Sequence, residues 1–415
     1  MISARAGQNE RHPQCVYDGG LGMDELHNGG DAASSRRPRF KEGSRDRQRL
    51  VLAGAGHTHL YLFSRLNRLI QHGIDVTVVS PGPFRYSGMA PGVLGGRYRP
   101  GDYEVDAARL VQNGGGTWME DAVTGIDRTA ARVTLASGQT LGFDALSLNI
   151  GSEVPLEKVP GAAESAVPVK PVSGFARLRQ QVRNAAGVQT RVSAVVVGGG
   201  PAGCEAAANL DACLETCAVK GSVSLVSSSR NLLSGYAPRA QQVITRYLEK
   251  RGIEILTGVR VRQVDGGRVM LDNSSELDAD FVVMATGISP PRVIAGSDLA
   301  VAEDGALRVN EFLQHVEDER IFGGGDCIRF DAFPLARVGV YAVREAPVLM
   351  HNLRAFLGGD ALMRFEPQRR FLLILNLGDG NGLLMWRRLV LKGRWVFAFK
   401  EWLDRRFIGA YQHQA

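Results

Sequence analysis

Two apolar runs that each end in a glycine-rich turn before a helix, and a third short strand ending in GGGD, predict an α/β chain. The first run is RLVLAGAGHTH at 49–59, the second VSAVVVGGGPAGCEAAANL at 192–210, and the third IFGGGDC at 321–327. A buried strand, a glycine turn and a helix form the first half of a Rossmann-like βαβ unit, whose first helical amides cradle a diphosphate. Two such turns in one chain predict two dinucleotides. At 415 residues the chain also exceeds one hydrophobic core and should divide into several domains.

Composition narrows the class. The formal net charge is +6, and residues 361–415 hold ten Lys and Arg against four Asp and Glu, an excess equal to that of the whole chain. Basic residues gathered in one terminal segment argue against a nucleic-acid binder, which would spread them along a reading surface. Cys15, Cys204, Cys213, Cys217 and Cys327 form neither a disulfide framework nor a Cys-x-x-Cys pair, so a reducing, cytoplasmic setting is expected. No metal site is expected. No apolar run reaches the length of a bilayer span. Residues 1–48 are polar and aperiodic and read as a disordered tail; Glu10, Asp18, Asp24 and Glu25 count against a targeting helix.

From Arg49 the pattern reads strand, helix, strand: LVLAG, HLYLFSRLNRLIQHG, DVTVVS. Gly54 makes the tight turn and Gly56 lets a pyrophosphate approach the helix amides. Where a third glycine is usual stands His59, so helix and strand must pack around an imidazole; His57 and His59 sit at the helix start without assigned chemistry. The second strand ends in Ser80, where an acid for a ribose is usual. A helix within VDAARLVQNGG and short strands follow, and the run closes with FDALSLNIGSEVP, whose strand ends at Gly151. The second cradle has all three glycines, Gly198, Gly200 and Gly203. Its second strand ends VSLVSSSR, where Ser227 and Arg230 bring a hydroxyl and a fork but no carboxylate, which tolerates a 2′-phosphate. Asp326, after Gly325, can accept ribityl hydroxyls, and the following helix can face a flavin. RRFLLILNLG, DGNG and LLMWRRLVL read as a hairpin. In the last segment Trp395, Phe399, Trp402 and Phe407 share one side of a helix, with Lys400, Glu401, Asp404 and Arg405 opposite. That helix reads either as a packed cap or as a membrane-surface segment.

The cradles, YSGMAPG, LSLNIGS, VVVGGGPAGCE, FVVMATGISPP and IFGGGDC, in that order, resemble the two-dinucleotide flavoproteins of the pyridine nucleotide-disulfide oxidoreductase superfamily from about Arg49 to Phe356. Within it the chain is most similar to type II NADH dehydrogenases and to the flavoprotein domain fused to selenide, water dikinase. The resemblance implies FAD and NAD(P)H as cofactors, with the NAD(P)H unit inserted in the FAD unit. It divides the chain into an FAD part at 49–165, an NAD(P)H part at 166–289, a second FAD part at 290–360 and a cap or membrane-surface segment at 361–415. Carried over, Gly54, Gly56, His57, Gly151, Gly325 and Asp326 belong to the FAD site, Gly198, Gly200, Gly203, Ser227 and Arg230 to the NAD(P)H site, and Gly287 to the returning strand.

The implied reaction is hydride transfer from NAD(P)H to FAD, then transfer of two electrons to a quinone-like acceptor. Glu205, in the first turn after the second cradle, would face the flavin and nicotinamide, and Lys170 could stand in for the lysine that relatives pair with it. No Cys lies between Arg49 and Val192, so the redox disulfide of many relatives is missing. A redox-sensing or interaction flavoprotein resembling apoptosis-inducing factor, and a sulfide:quinone oxidoreductase relative, remain alternatives. Oligomer formation is left open.

Overall fold

A computed structural model describes residues 47–185 and 191–415, so the tail reading for 1–46, and Cys15 with it, lies outside the described residues. Regular structure begins one residue earlier than the sequence reading had it, with β1 (Gln48–Ala53), then α1 (His57–Phe63), β2 (Ile74–Val79), β3 (Thr117–Met119) and β4 (Ala145–Leu148). Next come β5 (Ala166–Pro168), β6 (Val192–Val197), α2 (Pro201–Thr216), β7 (Gly221–Ser227), β8 (Glu254–Thr257) and β9 (Phe281–Met284). The chain ends with β10 (Ile321–Gly323), α3 (Gly339–Gly358), β11 (Leu373–Asn376), β12 (Gly382–Trp386), β13 (Leu389–Gly393) and α4 (Arg394–Gln412).

Two five-stranded sheets organise these elements, in the orders β10-β4-β1-β2-β3 and β5-β9-β6-β7-β8, with every pairing parallel. Central strands such as β1 and β6 read as runs of Val, Leu and Ala because both faces are covered; Leu50, Leu52, Val195 and Val196 are almost fully buried. The chain leaves the first sheet after β4, builds the second sheet entire, and returns as β10 beside β4. One unit is thus inserted in the other. Each sheet also carries a three-stranded antiparallel meander, at 123–142 and 261–278, so the two units repeat one plan.

Three local readings change. The stretch after the first cradle is not one helix: α1 ends at Phe63, and a separate short turn of helix covers Asn67–Ile70. LLMWRRLVL is not one strand either, because Arg387 takes a left-handed φ of 57° and turns the chain at Arg387–Arg388 into β13. The predicted hairpin is therefore a three-stranded meander. In α4, Lys400 and Asp404 are buried, at 7% and 5% exposure, while Trp395, Phe399 and Trp402 stand 57%, 39% and 52% exposed. Phe407 leaves the aromatic side predicted for it and stacks inside against Tyr86, with ring centroids 4.7 Å apart. The helix thus packs through part of its charged side, because Lys400 and Asp404 have partners elsewhere in the chain, while Arg405 on that side stays exposed.

Candidate functional site

The first cradle is shaped by the protein's own backbone crossing. Gly54 has φ +90°, and a Cβ there would lie 2.5 Å from the Asn149 carbonyl oxygen; a Cβ on Gly56 would lie 2.3 Å from Asn149 Oδ1. Asn149, at the end of β4, accepts from the His59 amide (3.1 Å) and donates to the Gly324 carbonyl (2.6 Å), so one buried side chain ties together the three strand ends. The imidazole in the third-glycine position fills the helix–strand gap as expected. His59 Nδ1 lies 2.7 Å from the Gly54 carbonyl and Nε2 2.8 Å from Ser147 Oγ. A carbonyl can only accept, so Nδ1 carries the proton and Nε2 accepts from the serine hydroxyl. Burial pushes the imidazole down to about 4, which keeps it neutral.

The second cradle separates the three glycine roles. A Cβ on Gly198 (φ +131°) would meet the Ala285 carbonyl at 2.3 Å, and one on Gly203 the Gly198 carbonyl at 1.7 Å, so turn and helix packing require both glycines. Around Gly200 a Cβ would meet nothing within 4 Å. The fold itself makes no demand for glycine there; a group outside the protein would. Gly200 is also the N-cap of α2 and makes no side-chain cap, leaving the first helical amides available to an anion. Gly151 (φ +75°) and Gly287 are similarly open. Ser227 is buried, and its Oγ accepts from the Ser229 amide at 3.2 Å, lying over Gly199; Arg230 is exposed.

Asp326 and Lys170 meet. They form an ion pair, and Ser152 donates to the same carboxylate oxygen, Oδ2, at 2.9 Å. Burial would raise the carboxyl, but the Lys170 charge and these hydrogen bonds outweigh it and hold it below its ordinary value. Oδ1 has no hydrogen-bond partner among the described residues, which leaves an acceptor available. Lys170 is thus not the partner of Glu205: its loop brings it to the other end of the site.

Glu205 finds its partners on the C-terminal elements. Its Oε1 accepts from the Asn376 amide at 2.7 Å, while Asn209, one helical turn on, exchanges hydrogen bonds with Asn376, so α2 is docked on β11. Burial pushes the Glu205 carboxyl up to about 7; the Lys400 charge and the Asn376 amide pull it down, and Asp404 pushes it up. Lys400 donates to Asp404 (2.5 Å) and to the Gly88 carbonyl (2.6 Å), and Tyr86 donates to the other Asp404 oxygen at 3.1 Å. Tyr86, Lys400 and Asp404 were not singled out as site residues from the sequence. Tyr86 lies in the YSGMAPG stretch, a local signal that could have marked it; the other two carried only i,i+4 spacing.

His57 joins the two groups. It lies among Phe84, Tyr86 and Phe407, and its Nε2 is enclosed yet has no partner. Burial lowers it to about 4, with Asp326 pulling up and Lys170 pushing down. Nearby, the buried Glu345 accepts from the Gly325 amide at 2.5 Å, and burial pushes its carboxyl up to about 7.

A model of the pyridine nucleotide-disulphide oxidoreductase family matches residues 48–350, spanning both cradles and the GGGD turn. The chain belongs to that family. It is an NAD(P)H-dependent oxidoreductase of the FAD/NAD(P) dinucleotide-binding fold, with FAD and NAD(P)H as its cofactors. An NADH dehydrogenase-like protein of Mycobacterium tuberculosis is 31% identical over 301 residues, covering 67% of this chain and 72% of that one. Among solved structures, the sulfide:quinone oxidoreductase of Aquifex aeolicus matches with a TM-score of 0.74 at 17% identity, over 88% of this chain and 92% of that one. NDH2 of Plasmodium falciparum in complex with NADH matches at 0.73 and 14%, over 88% and 99%. No described helix of this family member is long and apolar enough to cross a membrane.

The residues present fit the two cofactors. Gly200 leaves space that the protein does not fill, Asp326 Oδ1 is an unused acceptor, and His57 Nε2 is an enclosed atom awaiting a partner. The family's redox thiols have no counterpart beside the first cradle. Cys204, Cys213 and Cys327 are fully buried, and burial pushes each thiol up to about 12, far from thiolate character.

Proposed function

We propose that this chain oxidises NAD(P)H through FAD and delivers two electrons to a quinone-like acceptor, with no thiol in the cycle. The observation that carries the reading is the Glu205–Lys400–Asp404–Tyr86 cluster, which stands where the helix of the second cradle meets the C-terminal elements, beside His57 of the first.

FAD, when bound, supplies the two-electron step between nicotinamide and acceptor. The chain's part is placement. Gly54, Gly56 and the start of α1 hold the FAD pyrophosphate, and Gly151 and Gly325 let the backbone approach it. Asp326 accepts from the ribityl chain through Oδ1 while Lys170 and Ser152 fix Oδ2. Gly198, Gly200 and Gly203 take the NAD(P)H pyrophosphate onto α2. Ser227 and Arg230, with no carboxylate among them to repel a 2′-phosphate, admit NADPH as well as NADH. Gly287 keeps the returning strand clear of the nucleotide.

A carboxyl that titrates near 7 can hold or release a proton at working pH, so Glu205 is the proton-handling group, with Lys400 and Asp404 setting its charge. His57, neutral and flanked by Phe84, Tyr86 and Phe407, lines an apolar approach suited to a flat, uncharged acceptor. Trp395, Phe399 and Trp402, with Arg406 over the Trp402 ring, form an exposed aromatic and basic side of α4 that suits peripheral attachment to an anionic membrane.

The test is an acceptor panel with the FAD-loaded protein and saturating NADH or NADPH. A short-chain quinone should sustain turnover as acceptor and a disulfide should not, and sulfide offered in place of the nucleotide should not serve as donor to the quinone. Failure of every quinone with efficient reduction of a disulfide would reject the proposal.

A further inference from the structure

We propose that a cleft between the second dinucleotide unit and the C-terminal sheet, about 860 Å3 in volume, binds a long-chain fatty carboxylate. Its volume lies in the range that takes a small organic ligand, roughly 300–1,000 Å3. No cradle glycine and no member of the Glu205 cluster lines it, and none of its lining residues has a part in the proposed reaction.

The walls are apolar on both sides. Tyr236, just before the helix Pro238–Lys250, and Ala240 in its first turn line one side; Phe371, just before β11, and Leu373, Met385 and Leu389 of the C-terminal meander line the other. Trp386 and Leu389, at the turn between β12 and β13, are 44% and 47% exposed, so the cleft offers hydrocarbon to a ligand rather than closing on itself. The polar side chains that line it are Arg370, Arg387 and Arg388, together with the Tyr236 phenol. No carboxylate lines it, and none of the three guanidinium groups has an ion pair among the described residues.

Elsewhere arginines are neutralised where an acid lies beside them, as at Arg85–Glu104, Arg251–Asp211 and Arg337–Asp304; here the lining holds no acid to do so. Three unpaired cations around one apolar cleft repel each other and are complementary to an anion with a greasy tail. A guanidinium fork matches the two oxygens of a carboxylate in plane. Hydrocarbon on the walls and cations at the turn specify both ends of the ligand: an alkyl chain along Phe371, Leu373 and Met385, and a head between Arg370, Arg387 and Arg388.

The experiment is calorimetric titration of the FAD-loaded full chain with monomeric oleate, beside oleyl alcohol, butyrate and anionic phospholipid vesicles. Oleate should bind at one saturable site. Oleyl alcohol, which lacks the charge, should bind roughly tenfold more weakly or worse, in line with the strength of charge-assisted hydrogen bonds; butyrate, which lacks the chain, should show no binding. The double variant Arg387→Ala/Arg388→Ala should weaken oleate at least roughly tenfold. Leu389→Glu, at an exposed position, should do the same by placing a like charge in the cleft. Both variants should keep FAD and its reduction by NADH, which shows that they fold and keeps this test apart from that of the reaction. Equal binding of alcohol and carboxylate, binding unchanged in both variants, or association with vesicles but not with monomeric oleate would each overturn the proposal.

Discussion

At the scale of single residues, the glycines of the second cradle divide into those that the fold needs and one that it does not. Gly203 must lack a side chain because the Gly198 carbonyl would lie 1.7 Å from its Cβ, whereas Gly200 has free space and an ordinary φ of −79°. Gly203→Ala should therefore destabilise the protein by roughly 1–3 kcal/mol or more through overpacking against backbone. Gly200→Val should leave the melting temperature and FAD content unchanged and abolish reduction of the flavin by NADH. Normal reduction in a folded Gly200→Val protein would remove the dinucleotide from this turn. The spacing of these glycines, and the imidazole that replaces the third one in the first cradle, were legible because each acts on neighbours a few residues away. Asn149 was not legible. It fixes three strand ends at once, yet a lone Asn at the end of an apolar strand has no local pattern to mark it.

At the scale of elements, α4 shows what periodicity leaves open. The i,i+4 pair Lys400 and Asp404 marks a shared face, but whether that face meets water or protein depends on Tyr86 and Gly88, more than three hundred residues earlier in the chain. For the same reason the pairing of Lys170 with Asp326 rather than Glu205 could not be read from either loop. The cluster makes signed predictions for the pH dependence of turnover. With the Glu205 carboxyl near 7, the wild-type profile should show an inflection about there, absent in Glu205→Gln. Lys400 favours the ionised carboxylate, so Lys400→Met should move the inflection to higher pH; Asp404 opposes ionisation, so Asp404→Asn should move it lower. Movement of both variants in one direction would break the assignment. The inflection is read from kcat against pH in proteins shown to retain FAD.

At the scale of the whole molecule, the insertion of one parallel sheet within another was legible through the family resemblance, which the order of the two cradles and the GGGD strand carries. The closure of the site was not, since it depends on how β11 docks on α2 and how α4 reaches Tyr86 and Gly88. That docking also alters how membrane attachment should be tested. Deleting α4 would remove Lys400 and Phe407 from the site, so the informative variant is Trp395→Ser/Trp402→Ser, at two exposed positions. Wild-type protein should sediment with anionic vesicles at low salt and less so at high salt, and the double variant should stay in the supernatant with full FAD content. The central claim, hydride from a nicotinamide to FAD without a thiol and onward to a quinone, is tested most directly by anaerobic titration of the yellow protein. One equivalent of NADH or NADPH should bleach the flavin band, a quinone should restore it, and replacing Cys204, Cys213, Cys217 and Cys327 by Ala should change neither step. A band that persists under excess of both nucleotides, or that bleaches but is not restored by any quinone, would contradict the account.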